Sequence, residues 1–182
     1  MHHLKIVIFS IVFIILKPSF SFAQQLDTPL FKISHNNKIG FIDIHGNIVI
    51  LPQFIQAGDF SNEIAEARKE GLYGYINKKG DFEIKPQFEF ALPFHNERAI
   101  VYQKARPLVI DKKGKIIVDN HNFVSISSFN ENLALVTTSS GKQGVINEEG
   151  KLAIDTVFSR VRNFEDGVAI VYGLNHIDNE VV

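Results

Sequence analysis

The chain has 182 residues, 45% of them hydrophobic, and a formal charge of -1 at pH 7. That hydrophobic content excludes a wholly disordered protein, and the near-neutral charge leaves no basic face to neutralise phosphates, so nucleic acid is not an expected partner. Cysteine is absent, which removes disulfides, thiolate metal sites and a cysteine nucleophile together.

Residues 1–23 differ in kind from the rest. His2, His3 and Lys5 precede an apolar run over 6–16, and Ser21, Phe22 and Ala23 then form a small-x-small end before Gln24. A basic head, an apolar centre and a small-residue end make a secretory signal peptide, with cleavage expected after Ala23. The apolar run is too short for a spanning helix, which needs about 20 residues, so an integral membrane protein is not expected after cleavage. The expected location is secreted or periplasmic. Residues 24–35 lead into the folded region.

From there the chain repeats itself. The stretch from Ile39 to Phe54 lies over that from Tyr73 to Phe88 at a constant offset, a third copy passes through Val109, Ile110, Asp111 and Gly114, and a fourth through Val145, Ile146, Asn147 and Gly150. The repeat boundaries are 36–70, 71–104, 105–138 and 139–172, with 173–182 a partial repeat or capping tail. In each copy an Asp or Asn stands three residues before a glycine (Asp43/Gly46, Asn77/Gly80, Asp111/Gly114, Asn147/Gly150). This is the signature of a type I turn closed by a left-handed glycine, a hairpin with a G1 bulge. The strand after the turn alternates apolar and polar, as Phe82 and Ile84 do between Asp81, Glu83 and Lys85, and Pro52 and Pro86 are expected to end it. A loop follows with paired apolar positions: Phe54, Phe88, Phe123 and Phe158, then six residues on Phe60, Phe94, Phe129 and Phe164. A third short strand begins at Ala65, Ala99, Ala134 and Ala169. The expected fold is all-β: tandem three-stranded antiparallel β-meander repeats in an open array, with a propeller-like arrangement as the alternative.

The run Gly-aromatic-Ile-Asp/Asn-x-x-Gly-x-x-x-Ile-x-Pro-x-Phe, followed by Ala, Phe and a final Ala-x-Val, resembles the WG repeat family of bacterial proteins, over roughly residues 36–172. The tryptophan position of that family is taken here by Ile39, Tyr73, Pro107 and Gln143, and the following glycine becomes Leu108 in the third copy. The resemblance implies tandem β-units with a binding or structural role and no catalytic residues to carry over.

No catalytic constellation stands beside the repeat. The histidines show no ligand spacing, and Glu63, Glu97, Glu131 and Asp166 recur in one loop position, as solvating residues would. A non-catalytic binding or structural module with no cofactor is therefore expected, meeting an unknown protein or glycan of the cell envelope; the rival is an enzyme whose site is assembled from dispersed residues across repeats. An outer-membrane barrel is disfavoured because its strands need about 9–11 residues. The recurring phenylalanines are expected to form a core ladder. The candidate binding residues are Lys78, Lys79, Lys112 and Lys113, which stand at the turn tips and would align in a row if the copies stack.

Overall fold

The computed structural model describes residues 29–61, 63–162 and 168–173. The expected signal peptide lies outside them, as does most of the tail. The described residues are all-β, in small antiparallel sheets of which none closes on itself. The first sheet has strands β1 (Phe31–His35), β2 (Lys38–Ile42) and β3 (Ile48–Phe54). The second has β4 (Gln56–Ala57), β5 (Ile64–Lys69), β6 (Leu72–Asn77) and β7 (Phe82–Phe88). The third has β8 (Phe90–Ala91), β9 (Arg98–Gln103), β10 (Arg106–Asp111) and β11 (Ile116–Val118). The fourth has β12 (Phe123–Ile126), β13 (Leu133–Thr138), β14 (Gln143–Asn147) and β15 (Leu152–Phe158). A further pair, β16 (Arg160–Val161) and β17 (Val171–Tyr172), follows.

The turns form as their residue types dictate. Asn77 Oδ1 accepts from the backbone N of Lys79 and of Asp81 at 2.9 and 3.1 Å, and Gly80 N donates to Asn77 O at 2.9 Å. The same pattern holds at Asp43, Asp111 and Asn147. The four turn glycines have φ between 77° and 87°, the left-handed region that a side chain disfavours. Three of the hairpins that lead into a copy's first strand use two residues with positive φ, Asn36-Asn37, Glu70-Gly71 and Lys104-Ala105, the turn whose twist matches the flanking strands.

Two features depart from the sequence reading. Pro52 and Pro86 do not end their strands: β3 runs on to Phe54 and β7 to Phe88. Both are edge strands, and each proline sits in the register shift between the pair at the tryptophan position (Ile39↔Phe54, Tyr73↔Phe88) and the pair beyond it (Phe41↔Ile50, Tyr75↔Ile84). There a missing N–H costs no ladder bond. The second departure is an added short strand. After Phe54 the chain passes directly to the next sheet, Ile55 N donating to Arg68 O at 2.9 Å, so that Gln56 and Ala57 pair with Arg68 and Ala67. Each complete sheet therefore straddles two copies: the end of one supplies two strands, and the start of the next supplies the other two.

The sheets stack, and the core lies between them. Phe41, Ile50 and Phe54 of the first meet Ala65, Ala67 and Ile76 of the second. Tyr75, Ile84 and Phe88 of the second meet Ala99, Val101, Leu108 and Ile110 of the third. Ile100, Val109 and Val118 of the third meet Phe123, Phe129, Val136 and Ile146 of the fourth. The inner sheets thus bury both faces, so adjacent residues such as Tyr75 and Ile76 are both fully buried. Phe54, Phe88, Phe94, Phe123 and Phe129 are core residues, each contributing about 1.5–3 kcal/mol by burial. Phe60 packs edge-on against Phe41 with centroids 4.9 Å apart. Phe164 lies outside the described residues.

Candidate functional site

The stacking aligns equivalent positions of successive copies, and two rows follow from it. The first is the row of turn tips. The second, third and fourth tips pack against the preceding sheet: a Cβ built on Gly80 would lie 2.9 Å from Ile50 Cγ2, one on Gly114 3.2 Å from Ile84 Cγ2, and one on Gly150 2.5 Å from Val118 Cγ2. Of the tip lysines, Lys78 reaches Glu63 at 2.8 Å and Lys112 reaches Glu97 at 2.7 Å. These acids come from the recurring loop whose carboxylates the sequence reading assigned to solvation. Lys79 and Lys113 have no salt bridge among the described residues. At the fourth tip the place of Lys78 and Lys112 is taken by Glu148, whose backbone oxygen accepts from Arg98 Nε at 3.1 Å. The row is therefore a set of charge pairs, two of its four lysines being engaged by acids of their own chain.

The second row runs through the tryptophan position. In each sheet that position pairs across to the two preceding strands: Tyr73 with Arg68 and then Gln56, Pro107 with Tyr102 and then Phe90, Gln143 with Thr137 and then Ser125. In the middle of the molecule the row is aromatic. Tyr73 meets Phe90 edge-on at 5.9 Å across the gap between the second and third sheets, and Phe90 meets Tyr102 at 6.0 Å. Arg68 lies over the Tyr73 ring, 5.6 Å from its centroid, and Tyr73 Oη donates to Gln56 Oε1 at 2.5 Å. Phe90 is 47% exposed and the two tyrosines are half-buried. Beside the first sheet the same level is a shallow cavity of about 390 Å³ lined by Ile39, Ser34, Ile55 and Gln56 among others; beside the fourth, Gln143 Oε1 accepts from Val161 N at 2.7 Å. The sequence reading marked the tryptophan position but not Phe90 or Tyr102. Their signal was available: in the other copies the position of Phe90 holds Gln56, Ser125 and Arg160, so its aromatic side chain answers to no repeated core role.

Two groups are shifted by burial. Desolvation raises the Glu66 carboxyl above its ordinary value, and burial raises the Tyr75 phenol, which stays protonated and donates to Leu92 O at 2.7 Å. Among the described residues no group of three or more His, Cys, Asp or Glu gathers in a way that could hold a metal.

Small antiparallel sheets stacked face to face, each shared by two copies and displaying rows of equivalent side chains, define a β-repeat protein. The repeat described as WG containing repeat matches residues 39–73, 73–105, 109–139 and 144–172, and the chain belongs to the WG repeat family. No curated protein sequence matches it. Among solved structures it is similar to the computationally designed Ika8 protein, at 12% identity with TM-score 0.47, covering 81% of this chain and 53% of that one. It is also similar to BamB from Moraxella catarrhalis, at 13% identity with TM-score 0.45, covering 83% and 56%, and to Kluyveromyces lactis Hsv2p, at 13% identity with TM-score 0.45, covering 69% and 46%. The chain spans about half the length of these structures.

Proposed function

We propose that this WG repeat chain is an exported, non-catalytic binding module that meets a protein of the cell envelope through the aromatic part of the tryptophan-level row. The observation that carries this reading is the cluster of Tyr73, Phe90 and Tyr102 under Arg68, in which a large ring is left 47% exposed beside an arginine. Aromatic residues and arginine are the types that dominate binding energy at protein interfaces. The export half of the proposal rests on the signal-peptide pattern of residues 1–23, and the non-catalytic half on the family and on the two shifted groups, whose burial between sheets accounts for them. The tip lysines then act as a secondary, long-range attraction, since Lys78 and Lys112 are held by Glu63 and Glu97 and exposed pairs of this kind contribute about 0–1 kcal/mol.

The test isolates a partner from the envelope fraction with residues 24–182 as bait and compares variants. Phe90→Ala should weaken binding by about tenfold or more, while Lys78→Ala/Lys79→Ala/Lys112→Ala/Lys113→Ala should change it by no more than about threefold at physiological salt, where the Debye length is about 8 Å. The reverse pattern, with affinity collapsing as salt rises, would move the binding face to the tips. Mass spectrometry of the exported protein should find Gln24 at its N-terminus, and recovery of residues 1–23 would remove the export half of the proposal.

A further inference from the structure

Two one-residue departures from the repeat flank the paired strands β12 and β13 and meet at one end of the fourth sheet. From turn glycine to phenylalanine the count is eight residues at Gly46–Phe54 and Gly80–Phe88 but nine at Gly114–Phe123. The hairpin between third and first strands leaves four residues between the paired Tyr102 and Pro107 but five between Thr137 and Gln143. The first departure has a physical cause. Where the other copies have Gly40, Gly74 and Gly144, a Cβ would come within 2.4, 2.3 and 2.6 Å of the carbonyl oxygens of Ile50, Ile84 and Ile154 on the partner strand. The third copy has Leu108 there. Its partner strand β11 stops at Val118 after pairing at only two positions, and residues 119–122 leave the sheet.

That displaced segment reaches the enlarged hairpin. Ser139 N donates to Asn122 O at 3.1 Å. The segment is held in shape by its own bonds, Asn122 N to Asn120 Oδ1 and Phe123 N to Asn120 O, both 3.0 Å. The hairpin is held by Thr138 Oγ1, which accepts from Lys142 N at 3.1 Å and lies 3.0 Å from Ser140 Oγ. In the preceding sheet the equivalent hairpin is tied instead by a carboxylate, Glu89 accepting from Lys104 N and Ala105 N at 3.0 Å each. Between segment and hairpin lies a cavity of about 360 Å³, within the size of small-molecule sites, ~300–1,000 Å³. Its polar lining is Asn120, Asn122, Thr138, Ser139, Ser140 and Thr156. None of these carries a charge, and the nearby Asp119 is engaged by Arg106 at 3.0 Å. The side chains of Asn122, Ser139 and Thr156 make no hydrogen bond to a described residue. Leu152, 50% exposed, adds an apolar wall.

We propose that this pocket binds a neutral oligosaccharide. Amide and hydroxyl side chains each offer both donors and acceptors, as sugar hydroxyls do. A lining without charge leaves an ionic ligand uncompensated, and Leu152 suits the C–H face of a pyranose ring. The site is separate from the Phe90 cluster and does not depend on it.

The experiment is a ¹H–¹⁵N titration of residues 24–182 with three neutral probes, the trisaccharides of N-acetylglucosamine, of α-1,4-glucose and of β-1,4-glucose, and with a galacturonic acid trimer. At least one neutral probe should shift the Asn122, Ser139 and Ser140 amides saturably. The variant Asn122→Ala/Ser139→Ala should weaken that binding by about tenfold, the loss of two hydrogen bonds, and Phe90→Ala should leave it unchanged. Since both residues are exposed, the spectrum elsewhere should stay that of the wild type; should it not, Asn122→Asp, which keeps the shape and removes the amide donors, takes its place. Absence of saturable shifts at these amides with all three neutral probes, shifts that survive the variants, or tighter binding of the acidic trimer would overturn the proposal.

Discussion

The third copy of the repeat and the other three solve the same strand pairing in opposite ways. With Gly40, Gly74 and Gly144, the neighbouring strand comes so close that its carbonyl oxygen occupies the space of a side chain, and strands β3, β7 and β15 run to seven residues. With Leu108 the neighbouring strand is only three residues long, and the leucine, 2% exposed, fills the core between the second and third sheets. A glycine that recurs in a repeat is thus a statement about the neighbour's backbone, and its replacement marks where the chain has been released to do something else.

The sharpest way to break that comparison is Gly74→Leu, which puts into the second copy what the third already has. Its Cβ would lie 2.3 Å from Ile84 O and 2.7 Å from Pro86 N, both backbone atoms, while the Tyr73↔Phe88 pairing holds the strand in place. A loss of about 3–5 kcal/mol by urea denaturation is expected; a loss below about 1 kcal/mol would mean that the close approach is not what the glycine serves. A smaller difference separates the turn glycines. Gly46 and Gly150 share a positive φ, but a Cβ on Gly46 meets nothing within 4 Å, whereas one on Gly150 meets Val118 Cγ2 at 2.5 Å. Alanine should cost about 1–2 kcal/mol at Gly46 for backbone strain and about 1–3 kcal/mol more at Gly150 for the added crowding. Equal melting temperatures for the two variants would show that the stacking contact yields freely.

The smallest effect tests another pair of equivalent positions. In the third sheet Leu92 N donates to Ile100 O and both side chains join the core; in the second sheet Gly58 N donates to Glu66 O, and the carboxylate lies over the glycine, where a Cβ would clash with it. Burial raises the Glu66 carboxyl above its ordinary value, and Lys32, which would oppose this, is itself bridged to Asp59 at 3.1 Å. A raised pKa means that the fold holds the proton more tightly than the unfolded chain does. The stabilisation from protonation is therefore full below the unfolded-state value and lost as pH rises through the folded one. Glu66→Gln should be more stable than the wild type at pH 8, with the gap closing as pH falls toward 4 in denaturant midpoints. A gap that is constant across that range would remove the carboxylate's ionisation as its cause.

Much of the fold was legible in the sequence because it is written in short-range spacings. An Asx three residues before a glycine specifies a turn by covalent geometry and local hydrogen bonds, and phenylalanines recurring at one register specify a core because each copy must bury the same face. The prolines misled, because whether a strand can carry one depends on its lying at a sheet edge, and the edge is set by which strands pair. The tip lysines stand where their sequence position puts them, and Lys78 and Lys112 are engaged there by Glu63 and Glu97, which belong to the loop of the preceding copy and come alongside because β5 pairs with β6 and β9 with β10.

The sequence by itself determined the repeat, its turns, its strands and the phenylalanine ladder, all of which depend on residues a few positions apart. Only the tertiary structure decided that each sheet is shared between two copies, that Tyr73 and Phe90 meet across a sheet boundary, and that Asn122 lies against Ser139. The first and the last depend on which strands pair within a sheet and the second on how one sheet packs on the next, long-range arrangements that no local spacing encodes.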